Sequence, residues 1–192
     1  MLLRVATLVG FTLGWILVFR YRSEHLSTKL TAASTGERRW IPLTTAVISL
    51  HVTLAQAVLT MPLVGLAPAP PGAATRMLVG SAVFGVGLGW WFWARRALGP
   101  LDSFVDTARP PDRLLVSGPF AIVRHPLALG TLICALGSAI AAAALAVWIT
   151  FAASVVCLAK RCLQDEETLF DVFGSAYGSY AATKPRLVPF VW

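Results

Sequence analysis

Charged side chains are scarce in this sequence, where they make up 13% of the 192 residues. In soluble domains about a quarter of the residues are charged, whereas in this sequence hydrophobic residues make up 57%. This composition excludes an ordinary soluble enzyme and indicates a polytopic membrane protein. The length predicts a single domain over residues 1–192.

Cysteines and nucleotide-binding patterns are also scarce. Cys134, Cys157 and Cys162 lie in or at the end of apolar segments without metal-ligand spacing, so we predict neither a metal site nor a disulfide framework. The glycines within residues 85–89 lack dinucleotide spacing and a preceding strand, so they do not indicate a phosphate loop. With Ser81, the glycines at 85 and 89 instead predict a small-residue face for helix packing.

Three apolar runs predict membrane-spanning helices at residues 2–19, 43–66 and 77–94. The first run could be a signal peptide, but its basic flank follows the apolar residues instead of preceding them, so we interpret it as a span. A polar loop, residues 21–40, follows it. His51 lies within the second span, where a polar side chain is either functional or hydrogen-bonded inside the bundle.

Residues 127–163 form an apolar stretch that would extend about 55 Å as one helix, against a bilayer core of about 30 Å. Gly137-Ser138 and the alanine run 141–144 both permit a break, although no proline enforces one. A hairpin here gives five spans, with fourteen of the sixteen Lys and Arg residues on one side, all but Arg4 and Arg76. A single helix would move the basic tail to the opposite side.

The positive-inside rule therefore favours five spans in the plasma membrane, with the N-terminus outside and the C-terminus cytoplasmic. All nine acidic residues fall on the same predicted side. The net charge of +7 then indicates topology and contact with anionic membrane lipids, not nucleic-acid binding. The expected fold is an all-α membrane bundle whose fourth and fifth spans form a helical hairpin.

The tail after residue 160 predicts a cytoplasmic C-terminal amphipathic helix. Glu166, Leu169, Phe170 and Phe173 follow the i, i+3, i+4, i+7 spacing of one helix face. Gly174 could end that helix. Such a tail would fold back over the cytoplasmic loops and close a pocket at the membrane surface.

Arg124, His125 and Pro126 stand immediately before the fourth predicted span. Proline suits the first turn of a helix, and the positive end of the helix favours an anionic or electron-rich ligand group. Arg and His are also common anchors at the membrane interface. The tripeptide alone therefore leaves a ligand site and an interfacial anchor open.

Two motifs together resemble the isoprenylcysteine carboxyl methyltransferase and phospholipid methyltransferase superfamily of integral-membrane enzymes. The first motif is carried by Gly118, Pro119, Phe120, Val123, Arg124, His125, Pro126 and Gly130. The second is carried by Asp165, Glu166, Leu169, Phe173, Gly174, Tyr177, Tyr180, Arg186 and Pro189. The resemblance covers roughly residues 94–192, whereas residues 1–93, with the three N-terminal spans, match only in hydropathy.

The resemblance implies a methyltransferase that uses S-adenosylmethionine. It implies that Arg161 faces the substrate and acts in catalysis together with His125. The residues implied to bind the cofactor are Leu114, Leu115, Val116, Phe120, Arg124, His125, Pro126, Leu127, Ala128, Gly130, Asp165 and Glu166. The alternative for Arg161 is a simple i,i+4 ion pair with Asp165.

Two tyrosines of the family pattern are replaced here by Phe120 and Ala128. Either other groups compensate or the cofactor is held more loosely. The expected acceptor is a lipophilic or amphipathic small molecule, with oxygen, nitrogen and sulfur nucleophiles all open, as is the oligomeric state. Two other classes remain as alternatives: a steroid-reductase-like enzyme using NADPH, and a non-catalytic membrane protein. The absence of a dinucleotide loop and of an internal repeat weighs against them.

Overall fold

The structure is a computed structural model that describes residues 1–30, 40–66, 68, 71–98 and 114–188. Within these ranges the chain is entirely helical and contains no strand, as predicted. A short 3₁₀ turn, Gly118–Ala121, precedes the fourth helix. The α-helices are α1 (Leu2–Leu30), α2 (Trp40–Thr60), α3 (Ala73–Ala97), α4 (Pro126–Ala142), α5 (Leu145–Phe173) and α6 (Ser175–Thr183).

In the part of the chain that the structure describes, four helices are long and apolar enough to cross a membrane, which supports an integral membrane protein. Their apolar segments are Leu2–Phe19, Pro42–Thr60, Ala73–Ala97 and Leu145–Phe173. The fourth helix, α4, is also apolar but has only 17 residues, or about 26 Å. The count of five spans therefore stays a prediction.

The first two helices depart from their predicted ends. The first, α1, continues to Leu30, ten residues into the expected polar loop, because no glycine or proline interrupts residues 15–35. The second, α2, ends at Thr60 and not at Leu66, because Pro62 disfavours helical backbone at the residue before it. The rest of that polar loop (31–39), the loop 99–113 and Pro189 lie outside the described residues.

The chain reverses between α4 and α5 at Ala143 and Ala144, which confirms the predicted helical hairpin. Ala143 adopts left-handed backbone (φ 49°, ψ 37°), and its N–H donates to the Ala139 carbonyl at 2.8 Å. This conformation costs an L-residue about 1–2 kcal/mol. The other break considered, at Gly137-Ser138, is wrong, because both residues lie within α4.

Helices α3 and α4 pack backbone against backbone. A Cβ added to Gly137 would lie 2.5 Å from the Phe84 nitrogen, and one added to Gly87 would lie 2.6 Å from the Cys134 nitrogen. The predicted packing face is wrong for its two glycines, because a Cβ added to Gly85 or Gly89 would meet nothing within 4 Å. Its third member, Ser81, contacts α1, with its hydroxyl 3.3 Å from that of Thr7. The close approach fixes α4 firmly against α3, because no larger side chain fits between them.

His51 connects α2 to both arms of the hairpin and is fully buried. Its Nδ1 lies 3.0 Å from the Thr150 hydroxyl. Its Nε2 lies 2.9 Å from the Ser138 hydroxyl and 3.1 Å from the Ala135 carbonyl. These contacts support the interpretation of His51 as a hydrogen-bonded residue of the bundle interior.

The C-terminal amphipathic helix is not confirmed as a separate element. The tail continues α5 without interruption to Phe173, and Gly174 (φ 52°) then turns the chain into α6. Along the expected apolar face, Glu166 is buried whereas Phe170 is 55% exposed. The tail nevertheless returns toward the start of α4, which positions the site described next.

Candidate functional site

A buried carboxylate, Glu166, lies at the centre of the site. Its Oε1 accepts from Arg124 Nη1 at 2.8 Å and lies 3.1 Å from His125 Nε2. Its Oε2 accepts from Arg186 Nε at 2.9 Å. The Glu166 side chain is only 11% exposed. Hydrogen bonds between charged groups are about twice as strong as neutral ones, so this cluster is a strong link between α4, α5 and the C-terminal segment.

Backbone hydrogen bonds hold the first motif against the C-terminal segment. The Arg124 N–H donates to the Pro185 carbonyl at 2.9 Å, and the His125 N–H donates to the Arg186 carbonyl at 3.0 Å. Pro126 begins α4 as predicted, and His125 is its N-cap residue. Pro126 fixes the start of the helix, and the side chains of the two preceding residues, Arg124 and His125, both contact Glu166.

Two tyrosines of α6 close the site from the other side. The Tyr180 hydroxyl donates to the Phe120 carbonyl at 2.7 Å. Tyr177 is buried, with its hydroxyl beside the Arg124 guanidinium. Burial, more than any neighbouring charge, raises the pKa of Tyr177 and that of Tyr180 to about 12. Both phenols therefore remain protonated, and the proton of Tyr180 is already donated to Phe120.

Three polar atoms of this cluster are suited to a ligand. Within the described residues, the buried Arg124 Nε has no hydrogen-bond partner. The Tyr177 hydroxyl can only accept from the neighbouring Arg124 guanidinium, so its own proton remains free to donate to a ligand. His125 uses Nε2 toward Glu166, which leaves Nδ1 as the nitrogen that can contact a ligand. A buried donor without a partner costs about 1–3 kcal/mol. An anionic group bound here would remove that cost.

Four residues predicted to bind the cofactor lie before or within the 3₁₀ turn: Leu114, Leu115, Val116 and Phe120. Leu114 and Leu115 are half-buried in an irregular segment, and Val116 is 49% exposed. Phe120 contributes its carbonyl to the hydrogen bond with Tyr180. The role predicted for these side chains in cofactor binding stays a prediction.

The first turns of α4 face the helix bundle. Leu127 and Ala128 pack against the hydrophobic core. The Pro126 carbonyl accepts from Trp90 Nε1 at 3.0 Å. A Cβ added to Gly130 would lie 2.8 Å from the Trp91 Cβ. Packing against α3 thus accounts for Gly130, and a cofactor contact of these residues stays a prediction.

The two residues of the acidic pair, Asp165 and Glu166, lie in different environments. Asp165 Oδ2 lies 3.5 Å from Arg161 Nε, the i,i+4 ion pair considered as the alternative. Their side chains are 39% and 21% exposed. Among the described residues, Arg161 pairs with Asp165 and not with Glu166, whose ion-pair partners are Arg124, His125 and Arg186. Catalysis by Arg161 stays a prediction.

Three residues that the structure brings to the site were not predicted to bind the cofactor or to act in catalysis. Arg186 and Tyr177 belong to the second motif, and their positions there were the available signal. Trp90 belongs to the aromatic run Trp90, Trp91, Phe92 and Trp93 near the end of α3. Its hydrogen bond to the start of α4 crosses between helices and has no sequence signature.

No metal-binding cluster of three or more His, Cys, Asp or Glu side chains occurs among the described residues. The three cysteines are buried and free. The arrangement instead offers hydrogen-bond donors and one carboxylate at the end of a helical hairpin. It can bind and orient a polar, partly anionic ligand.

Comparison with known families supports this interpretation of the two motifs. A sequence model of phospholipid methyltransferases matches residues 75–176, just over half of the chain. The match contains α3 from its third residue onward, the first motif and Glu166, and it ends before Tyr180 and Arg186. No curated protein matches the chain. The chain therefore belongs to the phospholipid methyltransferase family, within the superfamily of membrane methyltransferases that includes the isoprenylcysteine carboxyl methyltransferases.

Proposed function

We propose that this protein transfers a methyl group from S-adenosylmethionine to a lipophilic or amphipathic small molecule. The observation that carries the proposal is the cluster formed by Arg124, His125 and Arg186 around Glu166. It joins the two motifs that a methyltransferase of this superfamily is expected to use, at the end of an apolar helical hairpin.

The free donors fit one part of the cofactor, its methionine carboxylate. Arg124 Nε, the Tyr177 hydroxyl and His125 Nδ1 can all contact such a group. Both oxygens of Glu166 are already engaged, so Glu166 orders the donors and is poorly placed to bind an amine itself. Asp165 has a single long ion pair and is 39% exposed, which leaves it able to accept from an amine or a ribose hydroxyl.

When bound, S-adenosylmethionine supplies an electrophilic methyl group on a sulfonium. The protein then needs no nucleophile of its own, and its contribution is alignment and exclusion of water. Alignment alone can lower a barrier by about 7–11 kcal/mol. The close contact of α3 with α4 and the hydrogen bond from Trp90 to Pro126 hold the helix that carries His125 in one position.

The proposed acceptor enters from the membrane, and the proposed site is cytoplasmic, in the plasma membrane. The charge distribution supports this orientation, since fourteen of the sixteen Lys and Arg residues lie on one predicted side. Single cysteines at Ala74 and Thr183, both exposed, test it in intact cells. A membrane-impermeant thiol reagent should label position 74 only. Labelling of both positions, or of position 183 alone, would contradict the orientation.

Calorimetric titration of the detergent-solubilised protein tests the cofactor. S-adenosylhomocysteine should bind and NADPH should not. Arg124→Gln should weaken binding by about 1–3 kcal/mol, as expected when a buried hydrogen-bonding group loses its partner. The matched control is Arg96→Gln, which removes the same charge from an exposed position at the end of α3 and should change nothing.

Two outcomes would contradict the proposal. Binding of NADPH in preference to S-adenosylhomocysteine would favour the reductase alternative. Binding of neither ligand would favour a non-catalytic protein of the same family.

A further inference from the structure

A cavity of about 250 Å³ lies at the end of the bundle opposite Glu166. It is bounded by the start of α1, the end of α2, the start of α3 and the turn between α4 and α5. Two arginines, Arg4 and Arg76, line it together with apolar side chains such as Leu59, Met77 and Ala142. The cavity therefore combines two positive charges with an apolar wall.

Among the described residues, no acidic side chain forms an ion pair with the arginines of this cavity. Within the described residues, neither Arg4 nor Arg76 forms an ion pair, and the buried Arg76 Nε has no hydrogen-bond partner. Every acidic residue of the chain falls within 24–37, 102–112 or 165–171. The acidic side chains that the structure describes, all within 165–171, do not contribute to the cavity lining. A guanidinium nitrogen that is buried without a partner leaves an anion-binding group unsatisfied.

The first turn of α3 adds further donors to the same cavity. Ala73, the first residue of α3, lines it. Gly72 precedes the helix with φ 69°, and no side chain caps the free N–H groups. The first N–H groups of a helix carry the positive end of its dipole and favour an anion. They act here in addition to the two arginines and would not define a site alone.

The depth of the cavity in the bundle indicates the source of the anion. It contacts Ala142, at the far end of α4 from His125, and the 17 residues of α4 correspond to about 26 Å. This separation is close to the thickness of a bilayer core. The cavity thus lies at the opposite membrane surface from Glu166, at the depth of lipid headgroups.

We propose that this cavity binds the phosphate group of a membrane phospholipid. Arg76 and Arg4 contact the phosphate, for which a guanidinium is well suited. The glycerol and upper acyl chains lie against the apolar wall. Because about 26 Å separates the cavity from His125, this lipid is not the methyl acceptor, and its binding is independent of the proposed methyl transfer.

Lipid titrations of the delipidated, full-length protein in detergent test the proposal. The probes are phosphatidylglycerol, a diacylglycerol with the same acyl chains, and inorganic phosphate. Thermal unfolding and native mass spectrometry report binding. Phosphatidylglycerol should raise the Tm with a saturable dependence at one bound lipid, whereas the other two probes should not reproduce this shift.

Arg76→Gln should weaken phosphatidylglycerol binding roughly ten- to hundredfold, the equivalent of a lost charged hydrogen bond. Arg96→Gln, with the same charge change at the opposite end of α3, should leave this affinity unchanged. If Arg76→Gln cannot be purified, Arg76→Lys keeps the charge but removes Nε, and it should weaken binding to a smaller extent.

Three results would overturn the proposal. Equal Tm shifts from diacylglycerol would show that the phosphate is not recognised. The same shift from inorganic phosphate would identify a free anion in place of a lipid. Equal losses in Arg76→Gln and Arg96→Gln would show that net charge, and not the cavity, controls lipid binding.

Discussion

Replacing Glu166 with glutamine removes the negative charge at the centre of the site with almost no change in shape. The side chain of Glu166 is 11% exposed and accepts from Arg124 and Arg186, with His125 also within 3.1 Å. After the change, two guanidinium groups face a neutral amide whose own N–H₂ group competes as a donor. The perturbation therefore tests the charge of the cluster and not its packing.

The size of the effect follows from these contacts. Hydrogen bonds to charged groups each contribute about 1.5–3 kcal/mol, and removing one partner from a buried ion pair costs about 3–5 kcal/mol. The side chain of Arg186 is 30% exposed and can turn toward solvent, which reduces its share. We therefore expect Glu166→Gln to lower the free energy of unfolding by about 2–4 kcal/mol.

The assay is reversible unfolding in mixed micelles, followed by tryptophan fluorescence. Glu167→Gln is the matched control, because it changes the same residue type by the same charge at the next, exposed position of α5. Surface substitutions of this kind usually stay within about 0.5 kcal/mol. The comparison removes any general effect of net charge on the micelle-bound protein.

A double-mutant cycle extends the test to the contact between the two motifs. His125→Ala and Glu166→Gln, alone and together, should be non-additive by at least about 0.5 kcal/mol in the affinity for S-adenosylhomocysteine. Direct contact at 3.1 Å is the reason for this expectation. Equal stability of Glu166→Gln and Glu167→Gln, together with strict additivity in the cycle, would refute the central role of Glu166.

Three further changes test other parts of the molecule. Arg161→Ala should abolish turnover in a methyl-transfer assay while leaving the affinity for S-adenosylhomocysteine nearly intact, and Lys160→Ala is the control in the same assay. Loss of cofactor binding in Arg161→Ala would mean that Arg161 binds the cofactor instead of acting in catalysis. His51→Ala should lower the free energy of unfolding by about 2–4 kcal/mol, because hydrogen bonds are lost and a cavity is created. An unchanged unfolding midpoint would show that His51 does not link the helices. Gly137→Ala should lower the free energy of unfolding by about 1–3 kcal/mol, because the new Cβ would lie 2.5 Å from a backbone nitrogen of α3. Gly85→Ala is the control, because a Cβ there meets nothing within 4 Å, and equal effects of the two substitutions would contradict the packing.

The hairpin was predictable because it follows from length and charge. The largely apolar stretch 127–163, 37 residues long, exceeds the bilayer thickness as one helix, and reversing it returns Lys160 to the side of Arg124. The position of the reversal was not predictable, since no proline or glycine imposes it. Packing selected Ala143 and Ala144, because Gly137 is required inside α4 for its contact with α3.

The packing face of α3 shows a second limit of the sequence. The spacing of Ser81, Gly85 and Gly89 gives a regular small-residue stripe, but the structure uses Gly80 and Gly87 against α4. Several glycine spacings in α3 are compatible with close helix packing. Only the match with Gly130 and Gly137 on the other helix decides which of them is used.

The sequence alone determined that an Arg-His-Pro segment and an acidic pair lie at neighbouring ends of apolar helices, because hydropathy and proline act locally. It did not determine which acid enters the site. Asp165 and Glu166 are adjacent in α5, so their side chains point in directions about 100° apart. The tertiary structure turned Glu166 toward Arg124 and left Asp165 with Arg161. Rotation of a helix about its axis depends on every neighbour that it packs against, and no short motif records it.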